Sequence, residues 1–269
     1  MATAKPVKSR GVLHARLDAA GFAHARYWPS DDLAQFVEHY WSVGWDLAQM
    51  CVRETLPHPV VHLVAENHQA TVGGPATKRW TRTFEAGRGR VFAIKFRVGG
   101  FRPFMRAPVS TLADRVFAAS DVFGRRARNL ARDVLADRDD HAAVAVFEDF
   151  LRASAPAPDA TIDLVAGIAE RIACDREITR IEQVAAEFSL TPRTLQRLFR
   201  EYVGASPKWV IQRYRLHEVV ERVDASASVD WAATAVELGY ADQAHLIRDF
   251  RKLVGRSPAE YARSVRTGS

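Results

Sequence analysis

The spacing of apolar residues changes once along the chain, near residue 153. Before that point apolar positions come in short runs rich in aromatic and β-branched residues, at 37–45, 60–64, 71–72, 79–84 and 91–98. Turn signals, among them Gly73-Gly74 and Gly87-Arg-Gly89, separate the runs. In the last run Val91, Ala93, Lys95 and Arg97 alternate with Phe92, Ile94, Phe96 and Val98, the pattern of a half-buried strand. Short strands at this spacing predict an antiparallel barrel or sandwich. Helical patterns follow at 110–120, with Ser110 as its cap and Leu112, Val116 and Phe117 as its stripe, and then at 125–135 and 142–151.

Ala153-Ser-Ala-Pro-Ala-Pro-Asp159 interrupts this pattern, because two prolines at alternate positions among small residues cannot sit inside a helix. The segment reads as an interdomain linker. Beyond it the period is helical throughout. Thr161 is placed to cap a helix whose inner face carries Ile162, Val165, Ile168, Ala169 and Ile172. Further helices are expected at 181–188, 191–202, 207–223, 230–238, 242–254 and 258–265. The fold class is therefore α+β. Residues 1–153 are expected to form an N-terminal ligand-sensing or oligomerisation domain, a cupin-like antiparallel β-barrel over about 27–106 with helices over about 110–151. Residues 154–160 are linker, and 161–269 form an all-α domain.

The helical half contains a repeat. Residues 184–207 run Val184-Ala-Ala-Glu-Phe-Ser-Leu-Thr-Pro-Arg-Thr-Leu-Gln-Arg-Leu-Phe-Arg200, then Val203-Gly204 and Ser206-Pro207. About fifty residues on come Thr234-Ala-Val-Glu-Leu-Gly-Tyr-Ala-Asp-Gln-Ala-His-Leu-Ile-Arg-Asp-Phe-Arg251, Val254-Gly255 and Ser257-Pro258. Each copy is a helix, a tight turn and a second helix, the arrangement of a helix-turn-helix. In the first copy Leu195, Leu198 and Phe199 form the inward stripe, and Arg193, Gln196, Arg197 and Arg200 the opposite face. In the second, Leu246, Ile247 and Phe250 point inward, and Gln243, His245, Arg248, Arg251 and Lys252 lie on the exposed side. Thr191 and Asp242 stand where N-caps belong. Glutamine can bond adenine bidentately and arginine can do so to guanine. Arg200, Arg251 and Lys252, further along, suit phosphates.

On these motifs, residues 161–266 resemble the DNA-binding domain of the AraC/XylS transcription regulators. The resemblance is carried by Leu195-Gln-Arg-Leu-Phe199, Gly204-x-Ser-Pro207, Arg215-Leu216, Leu238-Gly-Tyr-Ala-Asp-Gln-Ala-His-Leu246, Arg248-x-Phe250 and Gly255-x-Ser-Pro-x-x-Tyr261. It implies two helix-turn-helix units joined by a long helix, their recognition helices entering successive major grooves about 34 Å apart. It also implies base-facing roles for Arg193, Gln196 and Arg197, and for Gln243, His245 and Arg248. The chain departs from the family at Ser189, where a glycine is usual in the first turn, and at Thr234, Val219 and Ala262. If the first turn needs positive φ, Ser189 costs on the order of 1 kcal/mol.

Composition narrows the reading. The 269 residues are 48% hydrophobic and 26% charged, a globular balance. No apolar run approaches the roughly 18 residues of a membrane span, and no apolar segment follows the basic start, so neither a span nor a secretory signal is expected; the two cysteines fit a reducing cytoplasm, and the resemblance implies a bacterial regulator. Cys51 and Cys174 are too few for a disulfide scaffold or a multi-cysteine zinc site. The net charge of +6 lies mostly in the N-terminal part: residues 160–269 hold 16 Lys and Arg against 15 Asp and Glu. The DNA argument thus rests on placement, since 191–200 carries three arginines and no acid.

The expected partners are a double-stranded operator, a small-molecule effector, RNA polymerase if the protein is an activator, and a second protomer. No cofactor and no catalytic residue is assigned. An apolar effector pocket is expected in the barrel, with Trp41, Trp45, His58, His62, Phe92 and Phe96 as lining. The alternative is a cupin-like metal enzyme or metal sensor fused to the DNA-binding domain. Its ligand candidates are His58, His62, Glu66 and His68, whose even spacing would put them on one strand face. A third reading is an interaction module whose helix-turn-helix pair no longer binds DNA.

Overall fold

The alternating runs around Tyr40 and Ile94 pair to form the centre of a sheet. In a computed structural model of the chain, which describes residues 12–13, 21–56, 58–78, 80–154, 157–225 and 229–267, strands lie in two antiparallel sheets. The basic start, Pro57, Arg79 and the linker residues Ala155 and Pro156 lie outside the described residues. The smaller sheet contains β1 (Val12–Leu13), β4 (Cys51–Thr55) and β7 (Trp80–Phe84). The larger has the order β2 (Phe22–Tyr27), β3 (Val37–Leu47), β8 (Gly87–Phe96), β5 (His62–Glu66), β6 (Gln69–Gly73) and β9 (Val116–Ala118). Every pairing is antiparallel, and the hydrogen bonding does not close the strands into a ring.

Register fixes the faces of the larger sheet. Ser42 and Ala65 lie opposite Phe92, whereas Trp41 lies opposite Ala93 and His62 opposite Lys95. The Phe92 face packs on α1 (Ala119–Phe123), α2 (Leu130–Val134) and α3 (Asp140–Arg152), in a core of Tyr40, Phe92, Ile94, Phe96, Leu130 and Phe147. Asp140, at the start of α3, accepts from Tyr27 Oη (2.8 Å) and Ser42 Oγ (2.6 Å) and pairs with Arg90 (2.5 Å), tying the helix to the sheet. The other face meets the smaller sheet through Val43, Val91, Trp41, Trp45 and Phe84.

Two expectations change here. β8 is buried on both faces, with Val91, Phe92, Ala93 and Ile94 inaccessible, because a second layer covers the side that alternation left to solvent. Residues 110–120 are not one helix. Val109–Leu112 form a 3₁₀ turn, Asp114 adopts φ 56°, and β9 pairs with β6 before α1 begins. The β-branched and aromatic Val116 and Phe117 extend the sheet rather than a helix.

The C-terminal half is helical among the described residues. It comprises α4 (Ala160–Cys174), α5 (Ile181–Glu187), α6 (Pro192–Leu198), α7 (Pro207–Ala225), α8 (Trp231–Glu237), α9 (Gln243–Val254) and α10 (Pro258–Thr267). Asp159, not Thr161, caps α4: its carboxylate accepts from the Thr161 amide at 2.8 Å. The far end of α4 is held by a buried cation. Arg215 on α7, 2% exposed, donates to the carbonyls of Ile178 (2.8 Å), Ile172 (3.3 Å) and Asp175. A cation at a helix C-terminus is favoured by the orphan carbonyls and their dipole.

The halves meet over a wide surface. Arg102 pairs with Glu201 (2.5 Å), and Trp209 Nε1 donates to the Thr77 carbonyl (3.2 Å). Gln35 bonds the backbone of Asp159, whose side chain takes the Tyr202 hydroxyl at 2.6 Å. Asp159 is therefore bonded to both halves.

Arg215→Ala leaves buried carbonyls without donors and should cost about 3 kcal/mol or more in unfolding free energy, read by urea denaturation of the full chain.

Candidate nucleic-acid interface

Both copies of the repeat are built alike. α5 and α8 end in a two-bond turn. Leu190 N–H donates to Ala185 (2.8 Å) and Tyr240 N–H to Ala235 (2.9 Å), while Ser189 and Gly239 sit at φ 53° and 74°. This is the left-handed helix stop that glycine serves best. Ser189 therefore does stand in the strained conformation. It is exposed, so its side chain meets no further penalty. Gly239 is doubly constrained, since a β-carbon there would lie 2.4 Å from Thr179 Cγ2. The second turn thus packs directly on the loop before α5.

The second helices start on side-chain caps. Thr191 Oγ1 accepts from the Thr194 amide (3.1 Å), and Asp242 from the His245 amide (2.7 Å). Leu195, Leu198 and Phe199 are buried in one unit; Leu246 and Phe250 in the other, with Ile247 only half-buried. Arg193, Gln196, Arg197 and Arg200 are exposed, as are Gln243, Arg248, Arg251 and Lys252. His245 is half-exposed. Its ring meets Tyr240 edge-on at 5.2 Å, and its Nε2 lies 3.5 Å from the Asp249 carboxylate. Asp249 also accepts from Gln212 of α7 at 3.2 Å, which ties α9 to α7. Sequence reading passed over Asp249; its i+4 spacing from His245 was the available signal.

The copies diverge after these helices. α9 ends regularly, with Gly255 N–H bonded to Arg251 (2.9 Å). α6 runs into a wide turn, Phe199–Val203, where Gly204 N–H reaches back five residues to Phe199 (2.8 Å). Gly204 (φ 77°) also leaves no room for a β-carbon, which would lie 2.9 Å from the Val109 carbonyl.

The N-terminal candidates separate into three places. Phe92 and Phe96 are fully buried on the helix-covered face and belong to its core. Trp41, Trp45 and His62 share the face toward the smaller sheet. Trp41 Nε1 donates to His62 Nδ1 at 3.4 Å. The Trp45 indole lies over Gly89, whose missing β-carbon makes room for it, and stacks edge-on with Phe84 at 5.1 Å. His58 lies in the loop before β5, against α7, with Arg213 at 3.3 Å and the His217 ring at 5.5 Å.

Among the described residues a hollow of about 210 Å³ is lined by Ala23, His24, Ala25, Ser42, Gly44, Arg90 and Asp140; another, of about 330 Å³, lies between the halves at Arg102, Asp159 and Tyr202. The first is smaller than the roughly 300 Å³ of ordinary ligand pockets, and neither contains the expected aromatic set.

The four metal candidates do not converge. His62 faces Trp41, Glu66 pairs with Arg82 at 2.5 Å, His68 stands exposed in the β5–β6 turn at φ 63°, and His58 faces α7. Among the described residues no three His, Cys, Asp or Glu side chains gather at a metal-binding distance. Burial first, and then the Lys95 charge, push His62 down to about 3; burial and Arg213 push His58 well below its usual range. Both rings are therefore neutral at pH 7.

Residues 184–264 match the helix-turn-helix domain family, and residues 25–118 match a domain family of unknown function. The C-terminal half is thus a helix-turn-helix domain. An uncharacterized HTH-type transcriptional regulator of Haemophilus influenzae is 29% identical over 85 residues, 32% of this chain and 28% of that protein, so the match spans under a third of that relative. Apo ToxT from Vibrio cholerae aligns over 84% of this chain and 97% of its own, at 10% identity and TM-score 0.42. The DNA-binding domain of AdpA, solved with a target DNA, aligns over 41% of this chain and 96% of its own, at 25% identity and TM-score 0.34.

The two turns should respond oppositely to exchange. Ser189→Gly should stabilise the chain by about 0.5–1 kcal/mol by relieving the left-handed strain. Gly239→Ala should destabilise it by about 2–4 kcal/mol, from the same strain plus overpacking on Thr179. Denaturant midpoints of the two variants check both signs.

The neutral histidines set a pH dependence. Unfolding frees His62 to protonate at its ordinary value near 6.5, while the folded ring stays neutral down to about 3. Stability should therefore fall as pH drops below about 6.5. His62→Gln should flatten that fall, measured as thermal midpoint between pH 7 and 5.

Proposed function

We propose that this chain is a sequence-specific DNA-binding transcription regulator whose α6 and α9 read two successive major grooves of an operator. The observation that carries this reading is the pairing of two capped helices on one frame, each presenting an outward face of Arg, Gln or Lys over an inward apolar face. Arg193, Gln196 and Arg197 would meet base edges from α6, and Gln243, His245 and Arg248 from α9. Arg200, Arg251 and Lys252 would meet phosphates. With the half nearly neutral overall, affinity would come from these placed contacts, not from a broad basic field.

No helix among the described residues is long and apolar enough to cross a membrane, and we place the protein's work in the cytoplasm. The N-terminal domain would sense a small molecule or hold a second protomer. Its contacts leave the nine DNA-facing side chains exposed or half-exposed, so control would act on the geometry of the helix pair and not by covering it. Contact with RNA polymerase would follow if the protein activates.

Footprinting on genomic DNA gives the operator. On it, Arg197→Ala and Arg248→Ala should each cost about 1–3 kcal/mol, roughly 5- to 150-fold in Kd, and relax specificity at one position. Wild-type binding should weaken steeply with salt. Unchanged affinity in both variants would defeat the assignment.

A further inference from the structure

The apolar cores of the two helix-turn-helix units are not completed in the same way. The buried cluster of the first is made of its own residues, Val165, Ile168, Leu195, Phe199 and Val210 among them; the N-terminal domain touches that unit from outside, at Val98, at Gly99 beside Val165 and Tyr202, and at Pro75 and Val109 beside Gly204. The second contains a residue from far outside. Leu56, just after β4, is inaccessible to solvent and lies in one cluster with Leu216, Val219, Leu246, Phe250 and Tyr261. Two polar contacts flank it. Glu54 pairs with Arg256, in the loop between α9 and α10, at 2.8 Å, and His58 lies 3.3 Å from Arg213 on α7. A leucine with no exposed surface contributes its whole side chain to that core, and its removal would leave a cavity behind.

We propose that Glu54 and Leu56 of the N-terminal domain are positioning residues of the second helix-turn-helix. Leu56 completes the core on which α9 rests, and the Glu54–Arg256 pair fixes the α9–α10 loop. The second recognition helix is therefore held in its reading position by a side chain of the N-terminal domain inside its core, while the buried cluster under the first contains none. β4 pairs with β7, whose Phe84 packs on Trp45, so the inter-sheet layer is one strand away from this contact. The consequence for DNA rests on the regulator reading above; the mechanical coupling does not.

Amide hydrogen exchange on the full chain tests the coupling without DNA. Leu56→Ala should raise exchange in α8–α10 at least tenfold and leave α4–α6 and the large sheet at wild-type rates. Glu54→Gln, a milder change that keeps the leucine, should raise exchange in the α9–α10 loop alone. Unchanged exchange in α8–α10, or an equal rise across the whole chain, would overturn the proposal.

Footprinting on the operator is the second arm. Leu56→Ala should lose protection on the α9 half-site and keep it on the α6 half-site; loss or retention of both together would count against the proposal. A wild-type chain that footprints nowhere, with the exchange coupling intact, would instead remove the regulator reading and leave the coupling standing.

Discussion

The C-terminal half depends on one constraint: α7 must serve three neighbours at once. It contributes Val210 and Ile211 to the first unit's core and Leu216, Val219, Val220 and Val223 to the second's. Between these, Arg213 faces the N-terminal domain and Arg215 holds the end of α4. A helix with apolar residues on every side is a buried helix. Arg215 places one guanidinium nitrogen, Nη2, against three carbonyls at the end of α4. Rigidity then follows by geometry. α6 and α9 each share an apolar core with this one buried helix, so their relative placement is set through it.

The repeat shows how similar local rules yield unequal copies. Cap, turn, inward stripe and terminal glycine recur at Thr191 and Asp242, Ser189 and Gly239, and Gly204 and Gly255. The differences lie where neighbours intrude. Gly239 faces Thr179 and tolerates no side chain, whereas Ser189 faces solvent and carries one at the cost of strain. Pairwise contact, more than helix propensity, decides which departures from a shared pattern a chain can carry.

Much of this was legible in the residues, and the remainder fails for identifiable reasons. Caps at Thr191 and Asp242, the inward faces of α6 and α9 and the exposure of their arginines follow from local chemistry alone, which periodicity reports well. β2 and β4 escaped notice because Phe22-Ala-His-Ala-Arg-Tyr27 and Cys51-Val-Arg-Glu-Thr55 are polar or small at most positions and draw their order from partners. The helix expected at 110–120 failed because a sheet edge at β6 was waiting for Val116 and Phe117, a tertiary fact. The aromatic set proposed as one lining divides between two faces, since register places Trp41 and Phe92 on opposite sides of β3 and β8. Leu56 carried no signal, because nothing local to it hints at a partner more than 150 residues away.

Gly204 bears on inheritance as well as on shape. Its left-handed backbone ends the first recognition segment, and its bare α-carbon lets the Val109 carbonyl and the Pro75 ring, each 2.9 Å from where a β-carbon would sit, come close. One position therefore answers to both halves of the chain. Recombination that grafts this helical half onto another N-terminal domain would preserve the helix end but discard the surface that fits it. The two halves can be expected to travel through evolution together, changing in step at this seam rather than trading partners freely.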